Sequence, residues 1–165
     1  MTKEEAIRKL SAMCSRREYC SGQILGYIRK WSVGSADSGP QFDMNSSGEI
    51  MDYLVRYGFI DDMRFIRAFA RDKARFSGWG KEKILFKLRS LGFSSPGLAE
   101  EVDSALADTD MEGRLKELLR RKWQSIGKRE EPLANKRAKL LRFAIGRGYD
   151  YGSAAAAIKS IMAEQ

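Results

Sequence analysis

The sequence predicts an all-α protein made of three tandem three-helix repeats, and three observations predict it. Apolar residues recur at the three-and-four spacing of a helix face along nearly the whole chain. No stretch alternates apolar and polar residues long enough to make a strand. The second half of the chain also maps onto itself at a constant shift, as tandem helical units do.

From Glu4 onward, Ala6, Ile7, Leu10 and Met13 line one face of a first helix, which ends at Ser15-Arg16-Arg17-Glu18, a run with capping-box spacing. Ser21 stands where it can cap a second helix carrying Ile24, Leu25, Ile28 and Trp31 and closing at Val33-Gly34. Ser35 to Pro40 is polar and holds both Gly and Pro, so it reads as a loop, with the whole linking segment placed at 34–44. A third helix with Ile50, Met51, Leu54 and Val55 runs up to Tyr57-Gly58-Phe59. Gly58 suits the left-handed position just past its end, and Asp61 the N-cap of the helix that follows.

That fourth helix has two faces of opposite chemistry. At about 100° per residue, Phe65, Phe69 and Phe76 fall on one side and Arg64, Arg67, Arg71 and Arg75 on the other, with Asp72 the one carboxylate between Arg64 and Phe76. An arginine stripe so poorly neutralised is a candidate anion-binding face. Ser77-Gly78-Trp79-Gly80 breaks the helix, and its successor, Lys81 to Leu91, sets Ile84, Leu85, Leu88 and Leu91 on one arc before stopping at Gly92-Phe93. Lys83, Phe86, Lys87 and Ser90 lie on the other arc, so Phe86 stands among lysines. It either packs under a neighbouring helix or offers a stacking contact in a basic surface.

Ser95-Pro96 reads as an N-cap with proline at the first helical position, opening a sixth helix with Leu98, Ala99, Val102 and Leu106. After Asp108-Thr109-Asp110, a seventh sets Leu115, Leu118, Leu119 and Trp123 against Arg120, Arg121 and Lys122. A charged loop ending in Pro132 leads to an eighth with Leu140, Leu141, Ala144 and Ile145, and Lys139 on its polar side. Gly148-Tyr149 ends it, and the ninth, from Asp150, carries Ala154, Ala155, Ile158 and Ile161.

The internal repeat is specific in register. Arg64-Phe65 aligns with Arg114-Leu115 and Phe69 with Leu119 at a shift of 50; Leu85 aligns with Leu141, Gly92-Phe93 with Gly148-Tyr149 and Val102 with Ile158 at a shift of 56. The first three helices follow the pattern more loosely. The expected units are 1–60, 61–108 and 109–165, each too small to bury its own core alone.

Charge is segregated as well as positive. The chain carries +8, but Arg64 to Leu91 has nine Lys/Arg against two acids, and Arg114 to Arg147 twelve against three. A surface that tracks phosphates has this pattern, because each neutralised phosphate releases condensed counterions. There is no histidine, and Cys14 and Cys20 lack a Cys-x-x-Cys spacing, which removes Ser-His and Cys-His catalysis and the usual zinc sites. No Gly-rich phosphate loop or Gly-x-Ser-x-Gly elbow is present, so the reading is not an enzyme, with no cofactor and no metal. Asp61 and Asp62 are read as helix-start residues and not as metal ligands. No apolar run approaches the ~20 residues of a membrane span, and the N-terminus lacks an apolar signal region, so the expected location is cytoplasmic, with no membrane partner.

Gly58-Phe59-Ile60-Asp61-Asp62-Met63-Arg64-Phe65-Ile66-Arg67-Ala68-Phe69 resembles the central motif of the RecX regulatory proteins, with Ile66 where that family usually has alanine. Gly80-x-x-x-Ile84-x-x-x-Leu88-x-x-x-Gly92 follows at the family's spacing, and Arg16-x-Glu18-Tyr19-Cys20-Ser21 is similar to its first-repeat signature. The segment Gly34 to Phe42 is longer than typical, and Ala154 to Ala157 is an unusual alanine run. The resemblance implies an elongated, curved array that acts, without catalysis, as a negative regulator of a RecA-type recombinase. It would bind the nucleoprotein filament as a monomer and suppress ATP hydrolysis and strand exchange in recombination and DNA repair. The charge segregation itself predicts modest affinity for DNA, single- or double-stranded, with Arg64, Arg67, Arg71, Arg75, Lys83, Phe86, Lys87, Arg120, Arg121 and Lys139 as the nucleic-acid or filament-binding residues. Gly58, Asp61, Asp62, Phe65, Phe69 and Gly92 would be structural. A stand-alone basic helical DNA-binding protein is the competing reading.

Overall fold

Helical periodicity becomes helix throughout. The elements are α1 (Lys3–Arg16), α2 (Ser21–Val33), α3 (Met44–Arg56), α4 (Asp62–Phe76), α5 (Lys81–Ser90), α6 (Leu98–Leu106), α7 (Met111–Ile126), α8 (Leu133–Gly146) and α9 (Tyr151–Ala163), with no strand among the described residues. The structure is a computed structural model describing residues 1–33 and 44–165, so the loop expected at 34–44 lies outside the described residues except for Met44, which opens α3.

Local carboxylates set three of the helix starts, because the first N–H groups of a helix have no internal partner. Asp61 accepts from the Arg64 N–H at 3.0 Å, Asp110 from Gly113 at 2.9 Å and Asp150 from Ser153 at 2.9 Å. Three expected starts or stops come out differently. The capping box is Thr2 with Glu5, at the head of α1. Ser15 caps nothing: still inside α1, it turns its hydroxyl back onto the Ser11 carbonyl at 2.8 Å. Ser21 is the first residue of α2 and not its cap; its N–H donates to the Asp62 carboxylate at 2.8 Å. Ser95-Pro96 forms a turn and not a helix start, because Leu98 N–H closes back on the Ser95 carbonyl at 3.1 Å and α6 begins only after Gly97.

The first and third triplets are built alike: α3 packs on α1 and α2, and α9 on α7 and α8. Leu10, Ile24, Ile28, Ile50 and Leu54 lie at the centre of the first cluster; Leu115, Leu119, Leu140, Ala144 and Ile158 at that of the third. Burial of each large aliphatic side chain contributes roughly 1.5–3 kcal/mol. The expected inward set is trimmed, however. Phe65 is buried and Phe69 half-buried against Trp79, but Phe76 is 77% exposed, being the last residue of α4. Val55 and Ile145 are exposed too, each one position round the helix from the buried Leu54 and Ala144.

Packing gathers the chain into two compact units, Met1–Phe65 with Leu91–Phe93, and Ile66–Ser90 with Ser94–Gln165, whereas the sequence register counts three repeats. One joint recurs in both. In the second unit the turn that ends α8 covers the head of α5, with Gly80 N–H donating to the Arg147 carbonyl at 2.7 Å and Glu82 N–H to that of Gly148 at 2.9 Å. Fifty-six positions earlier, within the first unit, the Leu91 carbonyl lies against Gly22 in the first turn of α2, so closely that a Cβ there would fall 2.2 Å from the oxygen. Both turns carry a positive-φ glycine, Gly92 (φ 103°) and Gly148 (φ 96°). Phe93, just past the first of them, stacks on Phe65 with ring centroids 6.0 Å apart.

Candidate nucleic-acid interface

Whether a basic stripe can hold an anion depends on how many of its cations the fold has already neutralised. In the first unit Arg64 is engaged: its Nε donates to Glu18 at 2.8 Å and its terminal nitrogen to the Gly58 carbonyl at 3.1 Å. In the second unit Arg71 donates Nε to the Ala105 carbonyl at 3.2 Å, at the negative end of α6, and keeps its other N–H groups. Arg67, Arg75 and Lys87 are exposed and, among the described residues, have no carboxylate within ion-pair distance.

Lys83 serves the fold as well as the surface. Its ammonium reaches the Gly146 carbonyl at 3.5 Å and sits 4.8 Å from the centre of the Trp79 ring, which Lys73 also approaches at 4.7 Å. Such contacts contribute roughly 0.5–1 kcal/mol each at exposed sites. Phe86 is 74% exposed, so of its two expected states the buried one does not occur.

Farther along, two more of the expected cations are paired. Arg120 grips Glu164 through two hydrogen bonds, at 3.0 and 2.7 Å, and Lys139 holds both oxygens of Glu131 at 2.8 Å. These bonds hold the Glu164 and Glu131 carboxyls below the usual carboxylate range. Arg64, Arg120 and Lys139 therefore have their charge answered in place. Arg121 pairs with Glu117 one turn back at 2.7 Å but stays 72% exposed on its side chain, and an exposed pair of this kind is worth only about 0–1 kcal/mol. It remains open to a competing anion.

Asp61 and Asp62 serve different helices, α4 and α2, and among the described residues no three ligating side chains gather to hold a metal. Cys14 and Cys20 are free thiols, and burial pushes both above the ordinary thiol range, away from the reactive thiolate. Two arginines that no stripe singles out are brought together at the end of α4: Arg114 donates to the Arg75 carbonyl at 3.3 Å and Arg147 to that of Ser77 at 3.0 Å. Of these, only Arg114 had a signal in sequence, its correspondence with Arg64 at a shift of 50.

Fold and surface together define an all-helical protein of repeated three-helix units with unneutralised cations on its second unit. Comparison with known proteins agrees. The family model for the second three-helix domain of RecX matches residues 61–96. Among curated relatives, the regulatory protein RecX of Clostridium botulinum (strain Eklund 17B / Type B) is 31% identical over 110 residues, 67% of this chain and 50% of that one. RecX of Clostridium tetani is 27% identical over 135 residues, 79% of this chain and 61% of that one. The chain thus spans between a half and about three-fifths of the length of these relatives. The crystal structure of RecX from Lactobacillus salivarius shares the fold, with a TM-score of 0.79 over 96% of this chain and 95% of that one at 14% identity. The chain belongs to the RecX family of regulatory proteins.

Proposed function

We propose that this protein is a non-enzymatic negative regulator of a RecA-type recombinase, acting as a cytoplasmic monomer that binds the nucleoprotein filament and slows its ATP hydrolysis and strand exchange. The observation that carries this reading, beside family membership, is the set of exposed cations in the second unit that no carboxylate among the described residues answers: Arg67, Arg75 and Lys87, joined by Arg71 and Arg121 with donors to spare and by the exposed Phe86. Uncompensated cations suit a partner made of DNA and acidic protein surface, since the complementary potential speeds encounter and fixes register. Arg64, Arg120 and Lys139 contribute less in this reading, because each must first give up its own carboxylate.

The test is the DNA-dependent ATPase of the cognate recombinase, titrated with this protein while DNA is in large excess. Filament binding predicts inhibition below one protein per recombinase and independent of free DNA. A stand-alone DNA-binding protein would inhibit only by sequestering DNA, so its effect would fade as DNA is added. An unchanged ATPase rate at equimolar protein, with DNA binding retained, overturns the regulatory reading.

A further inference from the structure

Where α4 ends, the second unit has a concavity of about 390 Å³ lined by Arg75, Phe76, Ser77, Gly78, Arg114 and Arg121, with Arg147 beside them. That volume is within the ~300–1,000 Å³ usual for small-molecule sites. Four arginines line it against one carboxylate, Glu117, which Arg121 already engages. Two of the four are fixed in place by the helix end they cap, through the Arg75 and Ser77 carbonyls, and each spends one nitrogen of its fork in doing so. A guanidinium has five N–H donors, so most of the donating capacity at this point is unspent. The third, Arg75, is exposed and has no carboxylate partner among the described residues. Beside Arg114 and Arg147 the buried Tyr149 hydroxyl has no hydrogen-bond partner among the described residues, and burial pushes it above the ordinary phenol range, so it carries no charge to offset theirs.

The aromatic member decides what kind of anion suits the pocket. Phe76 leaves 77% of its surface in solvent at the rim, so its ring face is open to a stacking partner beside the arginines. Preorganised guanidinium forks match a phosphoryl group, and an exposed phenyl face matches a base. We propose that this pocket is a nucleotide-phosphate site: Arg75, Arg114, Arg121 and Arg147 hold one phosphoryl group and Phe76 stacks on the adjoining base. The inference deepens the proposed function by naming what part of the basic surface holds. It is read on the protein alone, so its failure leaves the recombinase reading standing, and failure of the ATPase assay leaves it standing.

The test is a titration of the isotope-labelled full chain, followed by amide chemical shifts, with inorganic phosphate, with 5′-deoxyadenosine monophosphate and with a short single-stranded oligodeoxyadenylate. All three ligands should shift Ser77 and Gly78, and the mononucleotide should bind about five- to a hundredfold tighter than phosphate because of the stacked base. Phe76→Ala should erase that advantage and leave phosphate binding unchanged. Arg75→Gln with Arg121→Gln, both at exposed positions, should weaken all three ligands by about tenfold or more. An oligonucleotide that binds much tighter than the mononucleotide identifies a single strand as the source of the phosphate; equal affinities identify a free nucleotide. The proposal falls if none of the ligands moves Ser77 and Gly78, if the double arginine variant binds as well as the parent, or if Phe76→Ala keeps the preference for nucleotide.

Discussion

Replacing Gly148 by alanine strikes the joint between the α8 turn and the head of α5, and the structure separates its two costs. The first is conformational: at φ 96° a side chain strains the backbone by about 1–2 kcal/mol. The second is steric. A Cβ would stand 2.3 Å from the Lys83 Cβ and 2.5 Å from the Lys83 nitrogen, and backbone cannot swing aside as a side-chain tip would. The turn must back away, lengthening the Glu82-to-Gly148 and Gly80-to-Arg147 hydrogen bonds, each worth roughly 1 kcal/mol net. The expected loss is therefore about 3–4 kcal/mol. Gly58→Ala is the matched control, since Gly58 also has a positive φ, 73°, but nothing lies within 4 Å of a Cβ there; it should cost only the conformational ~1–2 kcal/mol. Urea titration followed by circular dichroism measures both, and hydrogen exchange at Gly80 and Glu82 locates the damage. If Gly148→Ala is no more harmful than Gly58→Ala while the Glu82 amide keeps its protection, the joint does not hold α5 as described.

Asp62→Ala should loosen the head of α2 and not that of α4, lowering stability by about 1 kcal/mol and exposing the Ser21 amide to exchange, whereas Asp61→Ala should expose Arg64 instead. The bonds from the Ser153 N–H and hydroxyl depress the Asp150 carboxyl, so its contribution is full above the ordinary Asp range near ~4 and is lost as pH falls through the lower folded value; amides at the start of α9 should lose protection on acidification, and Asp150→Asn, which caps without titrating, should abolish that pH dependence. Phe86→Ala should leave stability within about 0.5 kcal/mol, because the ring is exposed, and should weaken recombinase inhibition; a clear drop in melting temperature would show that the ring is covered. DNA affinity should fall steeply with salt, and Arg67→Gln should lower the log-log slope by about 1, a change that a salt titration of binding detects directly.

Features that depend on neighbours three or four residues away, or that recur at a fixed shift, are legible along the chain. Helix periodicity, the carboxylate cap of Asp61, the start of α9 after Asp150 and the repeat register that matches Gly92 with Gly148 can be read along the chain, and each appears in the structure where the chain put it. Tertiary structure decided what each face meets. Periodicity placed Phe76 with Phe65 on one side of α4, but only the packing leaves the last residue of the helix uncovered. The cap on α2 comes from Asp62, 41 residues away, which no local rule reaches. The same holds for charge: Arg64 is answered by Glu18 and Arg120 by Glu164, partners 46 and 44 residues distant, while Arg114 and Arg147, 33 residues apart along the chain, converge on the end of α4. A side chain's type and helical phase fix its chemistry and direction, but Coulomb energy and hydrogen bonding fall off over a few ångströms. Which cations remain free to bind is therefore settled by whatever the fold brings within that range.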